Sequence, residues 1–199
     1  MSDTLAYINK AAKEGITTLF NPSPMLTPDE LRAFPWSALN WLIVNEGEIQ
    51  DLLRAFGAES ASEDAGVLIK ELYGTDVFDK NVKVICTLGA EGVMWAVDGQ
   101  GAEVGKLPAR KLEKGVKDTT GAGDCFLGYL TAGLMRGETL EEALQNCLAV
   151  RPLRYTICNE KELMKRLVRS VSRMKVLWTV CLPSLMLSNE LLDKCIQYV

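Results

Sequence analysis

A chain of 199 residues with 48% hydrophobic content is long enough for one domain with a buried core, and too apolar for a disordered segment. Its net charge of −4 lacks the basic excess that nucleic acid demands, so no nucleic-acid partner is expected. Histidine is absent, which excludes Ser-His-Asp and Cys-His catalysis and His-ligated metal centres.

Leu5–Glu14 has a short helical pattern, and the apolar, β-branched run Ile16–Phe20 predicts a buried strand. Asn21-Pro22-Ser23-Pro24 then breaks the chain. Trp41–Val44 predicts a second strand, followed by Asn45-Glu46-Gly47-Glu48 and a helix over Glu48–Phe56. Ser60 and Glu63 have capping-box spacing ahead of a helix to about Tyr73. Val82–Leu88 predicts a third strand. Val93–Val97 and Ala102–Leu107 flank Asp98-Gly99-Gln100-Gly101, a hairpin signature. A long helix from Ala122 to about Met135 is closed by Gly137, and Thr139 with Glu142 caps another running to Val150.

Strands alternating with helices predict an α/β fold with a mainly parallel sheet, whose ligands gather at the carboxyl ends of the strands. The loops 21–24, 45–48, 87–92 and 118–124 are candidates for one such edge.

A break in composition falls at residue 150. Residues 1–150 hold all 16 glycines and 17 alanines, and residues 151–199 hold neither. The first segment has 13 Lys+Arg against 22 Asp+Glu, net −9, and the tail has 9 against 4, net +5. The expected organisation is a body over 1–150 and a divergent basic helical tail over 151–199, either an extension or sequence of different origin. Helices are expected over 159–174 and 185–198. The longest apolar run, Val176–Leu187, is broken by Pro183 and Ser184 and is shorter than the ~20 residues of a membrane helix, so no span is expected. The six cysteines include no Cys-x-x-Cys pair and no secretory leader is evident, which suits reduced thiols in the cytoplasm, with the nucleus as an alternative.

The chemistry concentrates in Asp118-Thr119-Thr120-Gly121-Ala122-Gly123-Asp124. Glycines let backbone N–H groups approach phosphate oxygens, and a helix N-terminus favours the anion. Asp124 is placed to take a proton from an attacking hydroxyl, the help that phosphoryl transfer asks of a protein. Capping by Asp124 is the plainer alternative for an isolated Gly-x-Gly-Asp. Asp118 and Thr120 offer oxygen ligands to a hard cation, or simply cap a loop. Asn45 and Glu48 either cap their helix or face Mg²⁺-bound phosphates, Glu48 acting through water. The segment Thr87-Leu88-Gly89-Ala90-Glu91-Gly92 is either a tight turn or a place where backbone passes close to a nucleotide. No Walker-type Gly-x-x-x-x-Gly-Lys-Ser/Thr is present.

Together these motifs resemble the ribokinase-like (PfkB) family of ATP-dependent carbohydrate kinases over residues 1 to about 150. Asp118–Asp124 is similar to the family's C-terminal signature, Asn45-x-x-Glu48 to its Asn-x-x-Glu motif, and Thr87–Gly92 to its nucleotide-contacting segment. Asn21-Pro22-Ser23-Pro24 tilts the resemblance toward the ribokinase branch.

The resemblance implies a three-layer α-β-α fold, truncated at its N-terminal side, that phosphorylates a sugar hydroxyl, with D-ribose the expected substrate. It implies Asp124 as catalytic base and sugar contact, and Gly121, Ala122 and Gly123 as the anion hole. Asn45 and Thr87, Leu88, Gly89, Ala90, Glu91 and Gly92 would bind ATP together with Gly123 and Asp124. Mg²⁺ would accompany ATP near Glu48, and potassium would sit at Asp118 and Thr120. Full-length members would admit a homodimer. The alternatives are a related fructokinase- or adenosine-kinase-like enzyme, and a catalytically impaired chain acting as a nucleotide-binding or interaction module.

Overall fold

The computed structural model describes residues 2–99, 103–109, 122–149 and 176–180. The chain divides into two compact units, one comprising Met1–Lys106 with Val176–Met186, the other Leu107–Lys175 with Leu187–Val199.

The first unit is α/β. Its elements are α1 (Ser2–Lys13), β1 (Thr17–Asn21), α2 (Pro28–Arg32), β2 (Trp41–Asn45), α3 (Glu46–Ala55), α4 (Ala65–Gly74), β3 (Lys83–Thr87), β4 (Val93–Ala96), β5 (Gly105–Leu107, whose last residue falls in the other unit) and β6 (Val176–Val180). The sheet order is β5-β4-β3-β2-β1-β6. β1 pairs in parallel with β2 and β6, and β2 with β3, while β3 and β4 are antiparallel. The expected mainly parallel sheet is present, and its strands are buried at successive residues, Leu42, Ile43 and Val44 in β2 and Val84, Ile85 and Cys86 in β3. Successive side chains point to opposite faces, so burial of all three marks a sheet covered on both sides.

One face meets the main core. There Phe20, Leu42, Val44, Val84 and Cys86 join Ile49, Leu52 and Leu53 of α3 and Leu68, Ile69 and Leu72 of α4. The helical residues recur at three- and four-residue spacing, which gives each helix one apolar stripe to bury. Phe34 stacks on Phe20 at 4.7 Å and meets Trp36 at 4.5 Å, and Trp36 continues to Phe78 at 5.1 Å.

One expectation is corrected here. Ser60 and Glu63 do not cap α4; the cap is Asp64, whose carboxylate accepts the Val67 N–H at 3.0 Å. Ser60 and Ser62 instead brace the approach, each hydroxyl accepting the N–H two residues on. The segment after the Asn-Pro-Ser-Pro break holds an unexpected short helix, α2, with a Thr27–Glu30 capping box and Pro28 at its start. Of the tail, the described residues Val176–Val180, which lie between the two expected helices, form a strand. The expected helices at 159–174 and 185–198 and hairpin residues 100–102 lie outside the described residues.

In the second unit, α5 (Ala122–Met135) and α6 (Leu140–Ala149) pack together. Leu127, Leu130, Ala143 and Leu144 are buried. Gly137, at φ 78°, ends the link after α5, and Thr139 with Glu142 forms the expected box: the Thr139 N–H donates to Glu142 at 2.9 Å and the Glu142 N–H to the Thr139 hydroxyl at 3.3 Å.

Candidate active site

Parallel pairing brings three strand ends to one edge of the first unit. β2 and β3 run in register from Trp41↔Lys83 to Asn45↔Thr87, so Asn45 and Thr87 are neighbours at the carboxyl ends of adjacent strands. Asn21 ends β1 beside them. Its side-chain amide donates to the Ile43 carbonyl at 2.7 Å, and the Thr87 hydroxyl donates to the Val44 carbonyl at 3.3 Å. β2 is thus held from both sides at the edge where ligands bind open α/β sheets. This clamp role of Asn21 was not foreseen in the Asn-Pro-Ser-Pro motif.

Asn45 is also the N-cap of α3. Its side-chain oxygen Oδ1 accepts the Glu48 N–H at 2.9 Å, and Glu48 Oε2 accepts the Asn45 N–H at 2.9 Å. The strand therefore turns directly into a helix, whose first-turn amides face the edge. Partial burial raises the Glu48 carboxyl above its usual range, a shift that the Asn45 N–H opposes. The Cys86 thiol, buried in β3, is pushed up to about 12, first by burial and then by the carboxylates of Glu46 and Glu48.

Thr87–Gly92 folds as a self-contained turn. The Leu88 N–H donates to the Gly92 carbonyl at 2.8 Å, and the Glu91 N–H to the Leu88 carbonyl at 3.0 Å. Leu88 is buried and anchors the turn, while Gly89, Ala90 and Glu91 are exposed. Gly89 at φ 54° and Gly92 at φ 113° take backbone conformations that side chains disfavour. Glu91 reaches Lys106 of β5 at 3.7 Å.

Ala122, Gly123 and Asp124 open α5 in the second unit, and all three are exposed. A Cβ built on Gly123 meets nothing within 4 Å, so the backbone there is open to an approaching group. Asp124 lies in the first turn, where the helix dipole favours a carboxylate. Asp118, Thr120 and Gly121 lie outside the described residues.

No cluster of three or more acidic or cysteine residues suited to a metal is found among the described residues. A metal such as Mg²⁺ keeps several waters and takes one or two carboxylates plus substrate phosphates. Glu46 and Glu48, in the first turn of α3, could offer such carboxylates. No helix of the described residues is long and apolar enough to cross a membrane.

Residues 2–150 match the family described as pfkB family carbohydrate kinase. The crystal structure of ribokinase from Cryptococcus neoformans var. grubii serotype A in complex with ADP is 56% identical in sequence, with a TM-score of 0.68, over 74% of this chain and 48% of that one. Ribokinase of Lactococcus lactis is 31% identical over 145 residues, 72% of this chain and 40% of that protein. Adenosine kinase of Saccharomyces cerevisiae is 31% identical over 114 residues, 57% of this chain and 32% of that protein. The chain thus spans less than half the length of each of these relatives.

Proposed function

Because this chain belongs to the pfkB family of carbohydrate kinases, we propose that it serves ATP-dependent phosphorylation of a sugar hydroxyl, with D-ribose as substrate and ribose 5-phosphate as product. The observation that carries the choice of sugar is the 56% identity to the Cryptococcus ribokinase.

In this reading the Asp124 carboxylate accepts the proton of the sugar hydroxyl as its oxygen attacks the γ-phosphorus. The bond from that phosphorus to the bridging oxygen breaks, and ADP leaves. Backbone amides of Gly121, Ala122 and Gly123 neutralise charge on the transferred group. Asn45 and the exposed turn Gly89–Glu91 contact ATP, and Glu48 supports Mg²⁺ through water. Asp118 and Thr120 would hold potassium.

The test is ADP release by the full chain with D-ribose, D-fructose or adenosine, alongside Asp124→Asn. Ribose-dependent turnover is expected to fall by ~10²–10⁴ in the variant, the usual worth of a positioned base, while nucleotide affinity persists. Turnover equal in both proteins would sink the assignment of the base. Preference for adenosine or fructose would move the chain to another branch of the family.

A second reading is a nucleotide-binding or interaction module without turnover. The match covers 48% of the Cryptococcus chain. Orientation supplies ~7–11 kcal/mol of such a barrier, so a base that holds no sugar in place leaves turnover very slow. Measurable ATP binding with no sugar-dependent release of ADP would establish that reading.

A further inference from the structure

The strand β6 comes from outside the family-matched residues, since the match ends at 150 and β6 is Val176–Val180. It pairs in parallel with β1 along that strand's whole length, from Thr17↔Val176 to Asn21↔Val180, whereas β1 registers with β2 at Leu19 and Phe20. β1 is built as an interior strand. Thr18, Leu19 and Phe20 are all buried, at 1%, 5% and 0% exposure, so both of its faces are covered. Its remaining need is a partner for the row of N–H and C=O groups on the side away from β2. An open row of that kind is where foreign strands pair. The helix α1 packs against both β1 and β6, so the same helix seats the pair. A parallel pair needs a connection of a dozen or more residues, and residues 22–175 separate β1 from β6.

We propose that Val176–Val180 is an intramolecular edge cap, a strand from outside the kinase-matched region that completes the hydrogen bonding of β1 and denies that edge to a strand of a second chain. Val176–Val180 is then part of the folded sheet.

Hydrogen exchange of the full chain tests this in two steps. In the unaltered protein, the amides of Thr17–Asn21 should be protected to the same degree as those of the interior strand β3; exchange typical of an open edge overturns the proposal. Leu177→Pro and Trp178→Pro form the second step. Successive N–H groups of a strand point to opposite sides, so one of these two prolines removes a bond to β1 and the other an outward group, which edge strands tolerate. One variant, and only one, should speed exchange in Thr17–Asn21 by ~10-fold or more, the size of a lost hydrogen bond or two, and should shift the chain toward dimers or larger species on gel filtration. If that variant loses protection throughout the sheet while its neighbour stays folded, the cap is required for the fold as well, which also supports the proposal. Equal effects of the two prolines, or no effect of either, overturn it.

Discussion

Glu48 stands between two demands. Its carboxylate accepts the Asn45 N–H and closes the capping box, yet partial burial raises its pKa. A carboxyl with a raised folded pKa binds its proton more tightly when folded, so its contribution to stability is full below the unfolded pKa and is lost as pH rises through the folded one. Glu48→Gln keeps the capping geometry, because glutamine serves in the same box, and removes the charge. The variant should therefore unfold at higher urea than the parent at pH 7, and the difference should shrink as pH drops below the ordinary glutamate range. If Glu48 supports Mg²⁺, the same change should weaken Mg²⁺-dependent ATP binding. A variant that is less stable at pH 7 would show that the N–H bond outweighs burial. Gly92 makes a second case. At φ 113° and ψ −127° it occupies backbone space open to glycine, so Gly92→Ala should cost ~1–3 kcal/mol, read as a lower urea midpoint. An unchanged midpoint would mean that the turn relaxes. Both sites were legible in sequence, because Asn45-x-x-Glu48 and Gly89-x-x-Gly92 announce local backbone needs. Asn21 was legible only as the start of a turn, since the Ile43 carbonyl it binds is 22 residues away.

The pair α5–α6 tests packing at the level of elements. A Cβ on Gly133 would lie 2.8 Å from Ala143 Cβ, 3.2 Å from its Cα and 2.7 Å from Glu138 Oε2. The glutamate can swing aside, but the alanine atoms are fixed to α6. Alanine also improves helix propensity by about 1 kcal/mol over glycine, and overpacking costs ~1–3 kcal/mol. Gly133→Ala should thus destabilise the helix pair, with faster hydrogen exchange in 122–149 and little change in β3. A gain in protection there would mean that the helices separate at no cost. Elements with short-range signals were readable in this way: Thr139 and Glu142 start α6, and Gly137 closes the link before it. The same signal misled at Ser60–Glu63, because Asp64 stands nearer the helix and takes the Val67 N–H instead. It was overlooked at Thr27–Glu30, where two preceding prolines suggested only a break. β6 was beyond sequence reading for another reason. Val-Leu-Trp-Thr-Val suits a strand, but its partner β1 lies more than 150 positions earlier, and no local rule names it.

At the scale of the whole molecule, several acids titrate against the fold above neutral pH. Burial pushes the thiols of Cys86 and Cys147 from the ordinary 9.0 up to about 12, and it raises the Tyr73 phenol as well. Each is protonated in the native state and ionises once unfolding exposes it. Their stabilising contribution is therefore complete below pH 9 and is lost progressively toward pH 12. One fully coupled group gives a slope of about 1.4 kcal/mol per pH unit. Cys86 should approach this, being 0% exposed between β2 and β4, while Cys147 is only half-buried and should give less. The parent's stability in urea should fall between pH 9 and 11. Cys86→Ala begins lower at pH 8, because the smaller side chain leaves space in a packed strand, yet it loses stability more slowly as pH rises. The two curves should converge near the upper end of that window. Tyr73→Phe should flatten the profile at still higher pH, at the cost of the hydroxyl's bond to the Val82 carbonyl. Parallel curves for the parent and Cys86→Ala would mean that the buried thiol does not couple to unfolding, and that the alkaline limit of the protein lies elsewhere.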